Sequence, residues 1–489
     1  MVSPDIQTLS MKKRPGIESL SPRVSRLEVK GKRFHFIGAG GVGMSGLAHL
    51  LIKNKARVSG SDMCSSSAVD ALVTAGADIS IGHDADNIND LTEAVVISAA
   101  VKDDNPELIF ARNRGLKVYK YAQALGMLMN NYKGVAVSGT HGKSTTSAWL
   151  AYCLKQAGLD PNFIIGATVN QLGSNSGVGD GNHFVAEACE YDRSFLNIKP
   201  KIACILNVEA DHLDYYKDEE EIIGAFADFA GCIQPGGVLV ANGDNANVKK
   251  IIALAADKVE VVTFGIGKEY HFSAQNIELC QGLYSFDVYY KGGFVGRTSI
   301  SLAGYHNISN ALAVIAMGVN CGMDTAEVLE KLPLFTGIDR RLMLKDRIGA
   351  VTVIDDYAHH PTEIKASLEA IHQRYAPKRL WCVFQPHQYS RTRFLLDDFA
   401  ESFKLCDIVV IPEIYFVRDS VESKKLVNSQ MLAERIKSNG TKAIFINSFG
   451  GICDYLKENV SPNDLVVTMG AGDIWKVADE YIQWLRENS

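Results

Sequence analysis

The chain has 489 residues, 47% apolar and 22% charged, with a formal net charge of −6. That length is too great for one core and argues for about three domains, and no basic run is dense enough to make a nucleic-acid face. No apolar run reaches membrane-spanning length, so no membrane insertion is expected; the ten cysteines form no C-x-x-C pair, so neither a zinc site nor a disulfide framework is indicated, which suits a reducing cytoplasm.

Residues 1–31 read as a loose tail, with basic residues but no continuous apolar core, hence not a secretory signal. The first domain, 32–133, opens with a buried strand, Arg33 to Ile37. It runs into Gly38-Ala39-Gly40-Gly41-Val42-Gly43 and a helix beginning Met44-Ser45. A second strand, Ala56 to Gly60, ends at Ser61-Asp62. This is G-x-G-x-x-G between strand and helix, followed by an acidic residue. Gly38, Gly40, Gly41, Gly43, Met44 and Ser45 would face a diphosphate and Asp62 a ribose hydroxyl. A dinucleotide offers both groups, and so does a UDP-sugar. Further β/α units follow at Ala94 to Ser98, Asn105 to Asn113 and Lys117 to Tyr119.

The central domain, 134–335, opens on GVAVSGTHGKSTT, from Gly134 to Thr146. A short apolar strand, a glycine loop, Lys-Ser and a helix from Ser147 to Gln156 make a phosphate cradle. The loop is tighter than the usual P-loop, because Val137 stands where the first glycine would be. Lys143 would meet the β/γ-phosphates and Ser144 a Mg²⁺ ion. A polar loop, Asn170 to Asn182, leads to a strand at Phe184 to Ala186 and then Glu187, Glu190 and Asp192 on its ligand edge. The strand Ile202 to Leu206 ends in Asn207, Glu209, Asp211 and His212. Ser144 with Glu187 makes a plausible Mg²⁺ pair; His212 is either a ligand to a second ion or a capping or core histidine. Short alternating strands fill Tyr270 to Ser301, and Asn310 lies on the apolar helix after them, where it caps the helix or meets a purine.

The third domain, 336–489, begins with the linker Thr336 to Arg341. Strands at Val351 to Ile354, Leu380 to Phe384, Ile408 to Ile411, Ala443 to Ile446 and Leu465 to Thr468 alternate with helices. Their ends carry Asp355-Asp356 with His359-His360, His387-Gln388 with Arg391, and Gly470 to Asp473. Imidazoles, guanidinia and carboxylates there suit an anionic small substrate and a nucleotide. The fold class is therefore α/β in three domains: a Rossmann-like first domain, a central P-loop-type ATPase domain and a Rossmann-like third domain.

Taken in order, GAGGVGMSGLA (Gly38 to Ala48), SGTHGKSTT (Ser138 to Thr146), EACEYD (Glu187 to Asp192), NVEADHLDYY (Asn207 to Tyr216), YHNISNALA (Tyr305 to Ala313), GIDRR (Gly337 to Arg341), DDYAHHPTE (Asp355 to Glu363) and QPHQYSRT (Gln385 to Thr392) resemble the Mur ligase family. The resemblance runs from Lys32 to the C-terminus, and the first motif favours the alanine-adding branch over later ligases and the murein-peptide recycling ligase. It implies that the first domain binds the UDP portion of the substrate, with Glu190 and Asp192 also on the substrate side, and that ATP lies between the other two domains. It assigns Gly139, Thr140, His141, Gly142, Lys143, Ser144 and Thr145 to the phosphates. Ser144, Glu187 and His212 align with metal positions, and Asn310, Arg340 and Asp356 with nucleotide contacts. Lys143, His359, His387 and Arg391 are the implied catalytic set.

The implied reaction joins L-alanine to the lactyl carboxylate of UDP-N-acetylmuramate through an acyl phosphate, with ATP and Mg²⁺, in peptidoglycan synthesis, by a monomer or homodimer. Two departures stand out: Gln388 replaces a frequent arginine, and no lysine lies between Glu219 and Gly237 to carry the carbamate of sister ligases. The competing reading from Gly38–Gly43 and Asp62, a nicotinamide-dependent oxidoreductase, leaves the Lys143 loop without a purpose.

Overall fold

The structure, a computed structural model, describes residues 26–488 apart from Asp214, Arg418 and Ser420. Its strands form three sheets, each carried mainly by parallel pairs with helices between them. The first contains β1 (Arg33–Ile37), β2 (Arg57–Asp62), β3 (Asp78–Ile81), β4 (Ala94–Ile97) and β5 (Lys117–Lys120), in the order β3-β2-β1-β4-β5. All its pairs are parallel. The strand order reverses between β1 and β4, so the glycine loop after β1 sits at the switch point, where such sheets open a crevice for ligands.

The second sheet runs from β6 (Lys133–Ser138), β7 (Asn162–Val169), β8 (Ser174–Gly177), β9 (His183–Glu187) and β10 (Ile202–Ile205) to β11 (Val238–Asn242), β12 (Glu260–Ile266), β13 (Phe272–Cys280), β14 (Leu283–Tyr290) and β15 (Gly293–Ser299). Its order is β15-β14-β13-β12-β11-β10-β6-β9-β7-β8. The strand leading into the phosphate loop is thus flanked by β9 and β10, whose ends carry the acidic motifs. Val137 pairs with Glu187 and Ser138 with Ile205. The helix Lys143–Gln156 has buried residues at every position from Thr146 to Leu154, which is why its sequence lacks a polar face. Trp149 anchors it, donating its indole N–H to Leu332 O and stacking on Phe335.

The third sheet contains β16 (Met343–Ile348), β17 (Val351–Asp356), β18 (Leu380–Phe384), β19 (Ile408–Ile411), β20 (Lys442–Phe445) and β21 (Leu465–Met469), in the order β16-β17-β21-β18-β19-β20. Because β21 lies between β17 and β18, the three expected polar strand ends are indeed neighbours.

The polar loop at 170–182 is partly a strand. Its segment Ser174–Gly177 pairs antiparallel with β7, although Ser-Asn-Ser-Gly has no apolar alternation to announce it. Of the supposed tail, residues 1–25 lie outside the described residues. Leu27 and Val29 are buried in the first core, and Leu27 N donates to Met127 O, so that end of the segment is packed.

Candidate active site

The loop after β6 needs glycine at two places. Gly139 has φ 145° and Gly142 has φ 83°; a Cβ on Gly142 would stand 2.9 Å from Asn310 Oδ1. Asn207, just past β10, braces the turn between them. Its backbone carbonyl accepts from Thr140 N at 3.0 Å, and its side chain accepts from His141 N at 2.7 Å and donates to His141 O at 3.1 Å. Lys143 then opens the helix, with Nζ 2.5 Å from Gly139 O and 3.1 Å from Thr140 O. The same ammonium lies 2.9 Å from Glu190 Oε2 and 3.0 Å from Oε1. Burial disfavours the charge on Lys143, but Glu190 more than offsets this and holds its pKa above the usual lysine value. Glu190, expected beside the substrate, is instead turned into the phosphate loop, with Tyr216 donating its hydroxyl to Glu190 O.

Glu187, at the end of β9, stands beside Ser144 at the start of the helix. Burial lifts its carboxyl above the ordinary range, against hydrogen bonds from Gly166 N and Ser144. A desolvated carboxylate next to a helix-start hydroxyl is an oxygen donor set of the kind Mg²⁺ takes, so Ser144 and Glu187 fit that ion. His212 sits at φ 54°, its Nε2 3.8 Å from both Glu190 Oε1 and Asp211 Oδ2. Burial pushes its pKa down, which keeps the ring neutral and its lone pair available.

Across from this loop stand the ends of β17 and β18. Arg391 forks onto Asp211, with Nη2 2.9 Å and Nε 3.1 Å from Oδ1. Both side chains are buried, and the guanidinium, aided by nearby histidines, holds the Asp211 carboxyl far below the usual range despite burial. Arg391 also meets His387 Nδ1 at 3.3 Å, and His387 stacks on Tyr415. His359 packs edge-on to His387 at 6.0 Å, with Nδ1 3.0 Å from Tyr357 O. Burial drives the His359 pKa down to about 3. His141 is the reverse case: Glu209 and Glu363, each 3.4 Å from one of its ring nitrogens, outweigh burial and raise its pKa to about 9. The imidazolium therefore ties the central domain to the third, as does Thr362 donating to Glu209 Oε2 at 2.8 Å.

Between the two domains lies a cavity of about 650 Å³, lined by His141, Gly142, Ser144, Thr145, His306, Asn310, Arg341 and Asp356, with Leu302, Leu342 and Ile371 on its apolar side. That volume and mixed lining suit a nucleotide. Asn310 borders it and donates to Asn307 Oδ1. Burial lifts the Asp356 carboxyl to about 6; it accepts from Ser367 and Ala358 N. Arg340 does not line the cavity. Its backbone is left-handed (φ 58°), and its guanidinium is taken up by Asp355, Gly470 O and Gly472 O. Arg341 faces the cavity in its place and pairs with Glu363 at 3.2 Å.

In the first domain Gly38 has φ 79°, and Asp62 accepts from Gly40 N at 2.8 Å, so the acidic residue closes the glycine turn. Gly41 is open to ordinary contacts only, whereas a Cβ on Gly43 would strike the Tyr121 ring at 2.8 Å. Met44 and Ser45 are buried, and Ser45 returns its hydroxyl to Val42 O, so their side chains serve packing. Asp192 is exposed near Lys120 of the first domain, at 3.6 Å. The roles of Glu209 and Asp211 were not legible in the sequence, because His141 lies 68 residues before the one and Arg391 180 residues after the other; Glu363 joins His141 of the central domain as well as Arg341 of its own.

Comparison with known proteins matches these three regions in order. Residues 33–133 match the Mur ligase family catalytic domain, 137–318 the Mur ligase middle domain and 340–472 the Mur ligase glutamate ligase domain. The chain is 42% identical over 456 residues to the UDP-N-acetylmuramate–L-alanine ligase of Caldanaerobacter subterraneus subsp. tengcongensis, covering 93% of this chain and 98% of that one. It is 43% identical over 457 residues to the ligase of the same name from Acetivibrio thermocellus, covering 93% and 96%. Among solved structures, the UDP-N-acetylmuramate-alanine ligase of Thermotoga maritima superposes with a TM-score of 0.78 at 28% identity, over 94% of this chain and all of that one. A murein peptide ligase from Psychrobacter arcticus shares the fold, with a TM-score of 0.69 at 24% identity over 93% and 99%. With three domain matches in sequence and relatives of this identity over nearly its whole length, the chain belongs to the Mur ligase family.

Proposed function

We propose that this protein joins L-alanine to the lactyl carboxylate of UDP-N-acetylmuramate at the expense of ATP, giving UDP-N-acetylmuramoyl-L-alanine, ADP and phosphate in the cytoplasm. The observation that carries the reading is the meeting of two chemistries where the central and third domains join, through Arg391 on Asp211. On the central side stand Lys143, Ser144 and Glu187, a set for phosphate and Mg²⁺, with Ser144 lining the cavity; on the other stand His359, His387 and Arg391, a set for a carboxylate and an amine. The names of the 42–43% identical relatives supply the two substrates.

A carboxylate and an amine do not condense in neutral water, because oxide is too poor a leaving group. Phosphorylating the carboxylate from ATP makes an acyl phosphate that an amine can attack. The first step brings two anions together, so Lys143 screens the phosphates while Ser144 and Glu187 would hold Mg²⁺, which supplies further charge neutralisation when bound. Alignment of the reacting groups can contribute roughly 7–11 kcal/mol. Arg391, fixed by Asp211, presents a rigid guanidinium edge to a carboxylate. Alanine must shed a proton to attack. With a pKa near 3, His359 is a weak proton acceptor and better suited to orienting the amino acid; His387, beside Arg391, is the base we favour. The ties between the central and third domains would keep water from the acyl phosphate.

Phosphate release by the purified protein tests this. It should require ATP, UDP-N-acetylmuramate and L-alanine together, with the alanyl product visible by mass. Turnover without alanine, or with a murein tripeptide in preference to it, would remove the reading.

A further inference from the structure

The helix Val42–Lys53 begins at Gly41 with no side-chain cap. Ser45 N donates to Gly41 O at 2.8 Å, but among the described residues nothing accepts from the N–H groups of Val42, Gly43 and Met44. This is the face suited to a diphosphate. The loop's own side chains bring no donor to it, since Ser45 returns its hydroxyl to Val42 O.

A donor arrives from another element. Tyr121 opens the helix Tyr121–Met129, and its ring lies against Gly43. A Cβ built on Gly43 would stand 2.8 Å from Tyr121 Cζ and 3.0 Å from the hydroxyl oxygen. A side chain at position 43 would therefore push the ring off the helix start, and glycine keeps the hydroxyl beside the three amides. The ring is partly buried against the core of the first domain, yet among the described residues its hydroxyl makes no hydrogen bond. A half-buried phenol normally finds a partner. Burial, reinforced by Glu187 and Cys189 of the central domain, lifts its pKa well above the ordinary value, so the proton stays available for donation. Asn175 of the central domain donates to Val42 O at 3.0 Å, so this corner lies where the first two domains meet.

We propose that Tyr121 binds the diphosphate of the UDP-substrate, its hydroxyl donating to a phosphate oxygen held by the free amides of Val42, Gly43 and Met44. Because the helix it opens runs into β6, the contact also links the bound substrate to the strand that carries the ATP loop. The inference rests on the ligase reading in taking a UDP-sugar as the ligand of the first domain.

Calorimetric titration of the full chain with UDP, without ATP or alanine, tests it. Tyr121→Phe keeps the ring against Gly43 and removes only the hydroxyl, so the fold is retained and UDP should bind about tenfold or more weakly, the loss expected for a donor to a charged oxygen. Uridine, which has no phosphate, should bind both proteins alike. In steady state the variant should raise KM for the UDP-substrate by a similar factor while KM for ATP stays as in wild type, a split that a tyrosine serving only to pack would not produce. Equal UDP affinities for wild type and Tyr121→Phe, or an equal loss for uridine, would overturn the proposal. A wild-type protein that bound no UDP would remove the UDP-sugar reading and this proposal with it. Because no product is measured in the titrations, a loss of UDP affinity confined to Tyr121→Phe stands apart from the outcome of the alanine-dependent assay.

Discussion

Two glycine loops in this molecule follow the same plan, a buried parallel strand turning through glycines into a helix, yet they are finished differently. After β1 the turn is closed by Asp62 on Gly40 N, and the helix begins Val42-Gly43-Met44, with Tyr121 packed behind Gly43. After β6 the turn is braced by Asn207, and the helix begins Lys143-Ser144, with Glu187 and Glu190 at the adjoining strand end. The backbone in both cases has the strand, glycine turn and helix start that suit a phosphate. The first loop adds neither a lysine nor a hydroxyl at the helix start, so it can hold a diphosphate but gives no help to a transferring phosphoryl group. The second adds an ammonium, a hydroxyl and a carboxylate, and it is faced by the third domain. Glycine spacing marks an anion site; the residues next to it decide whether chemistry happens there.

Exchanging the roles by mutation is the severest test of that division. Lys143→Ala should lower turnover by about a thousandfold, roughly 4 kcal/mol of transition-state stabilisation, while circular dichroism and binding of the UDP-substrate stay as in wild type. A variant within a few-fold of wild type would erase the distinction between the loops. Next comes the partner that only the second loop has. Arg391→Ala strands the buried Asp211 carboxylate, at a cost of about 3–5 kcal/mol to the contact between the central and third domains. The check is a lower melting temperature together with a raised KM for alanine; an unchanged melting curve would deny the pair its role.

A third difference is titratable. His141 has its folded pKa raised to about 9 from the ordinary 6.5, so its contribution is complete below pH 6.5 and is lost as pH rises through 9. Melting temperature measured between pH 6.5 and 9.5 should fall by about 3 °C or more in wild type relative to His141→Asn, in which that dependence is absent. Parallel curves for the two proteins would contradict the assignment. The smallest effect belongs to the first loop. Asp62→Ala removes the acceptor for Gly40 N, worth about 1 kcal/mol, and should raise KM for the UDP-substrate with little change in kcat. A large fall in kcat would mean that this loop does more than hold.

Sequence reading reached these loops because each is a local pattern: apolar strand, glycines, helix, with acidic or basic residues at the next strand ends. The strands of the third sheet at Leu380–Phe384 and Ile408–Ile411 were likewise visible as uninterrupted apolar runs. Edge strands escaped, since β8 (Ser-Asn-Ser-Gly) and the charged β16 lack both alternation and an apolar run. Arg340 was expected at the nucleotide from the family resemblance alone; its backbone is left-handed, Arg341 lines the cavity, and no local pattern reports which of the two does. Glu190 was expected on the substrate side from the resemblance; its strand end was legible, but its partner Lys143, 47 residues earlier, was not. Contacts between domains, such as Asp211 with Arg391 across 180 residues, depend on docking and leave no periodic trace.

The central claim is that the second loop passes phosphate to a carboxylate before the amine arrives. UDP-N-acetylmuramate labelled with heavy oxygen in its lactyl carboxylate measures this most directly. The account predicts that, in a complete reaction with ATP and L-alanine, the inorganic phosphate released carries one labelled oxygen from the substrate. Phosphate free of label, alongside normal formation of the alanyl product, would show that the carboxylate was never phosphorylated.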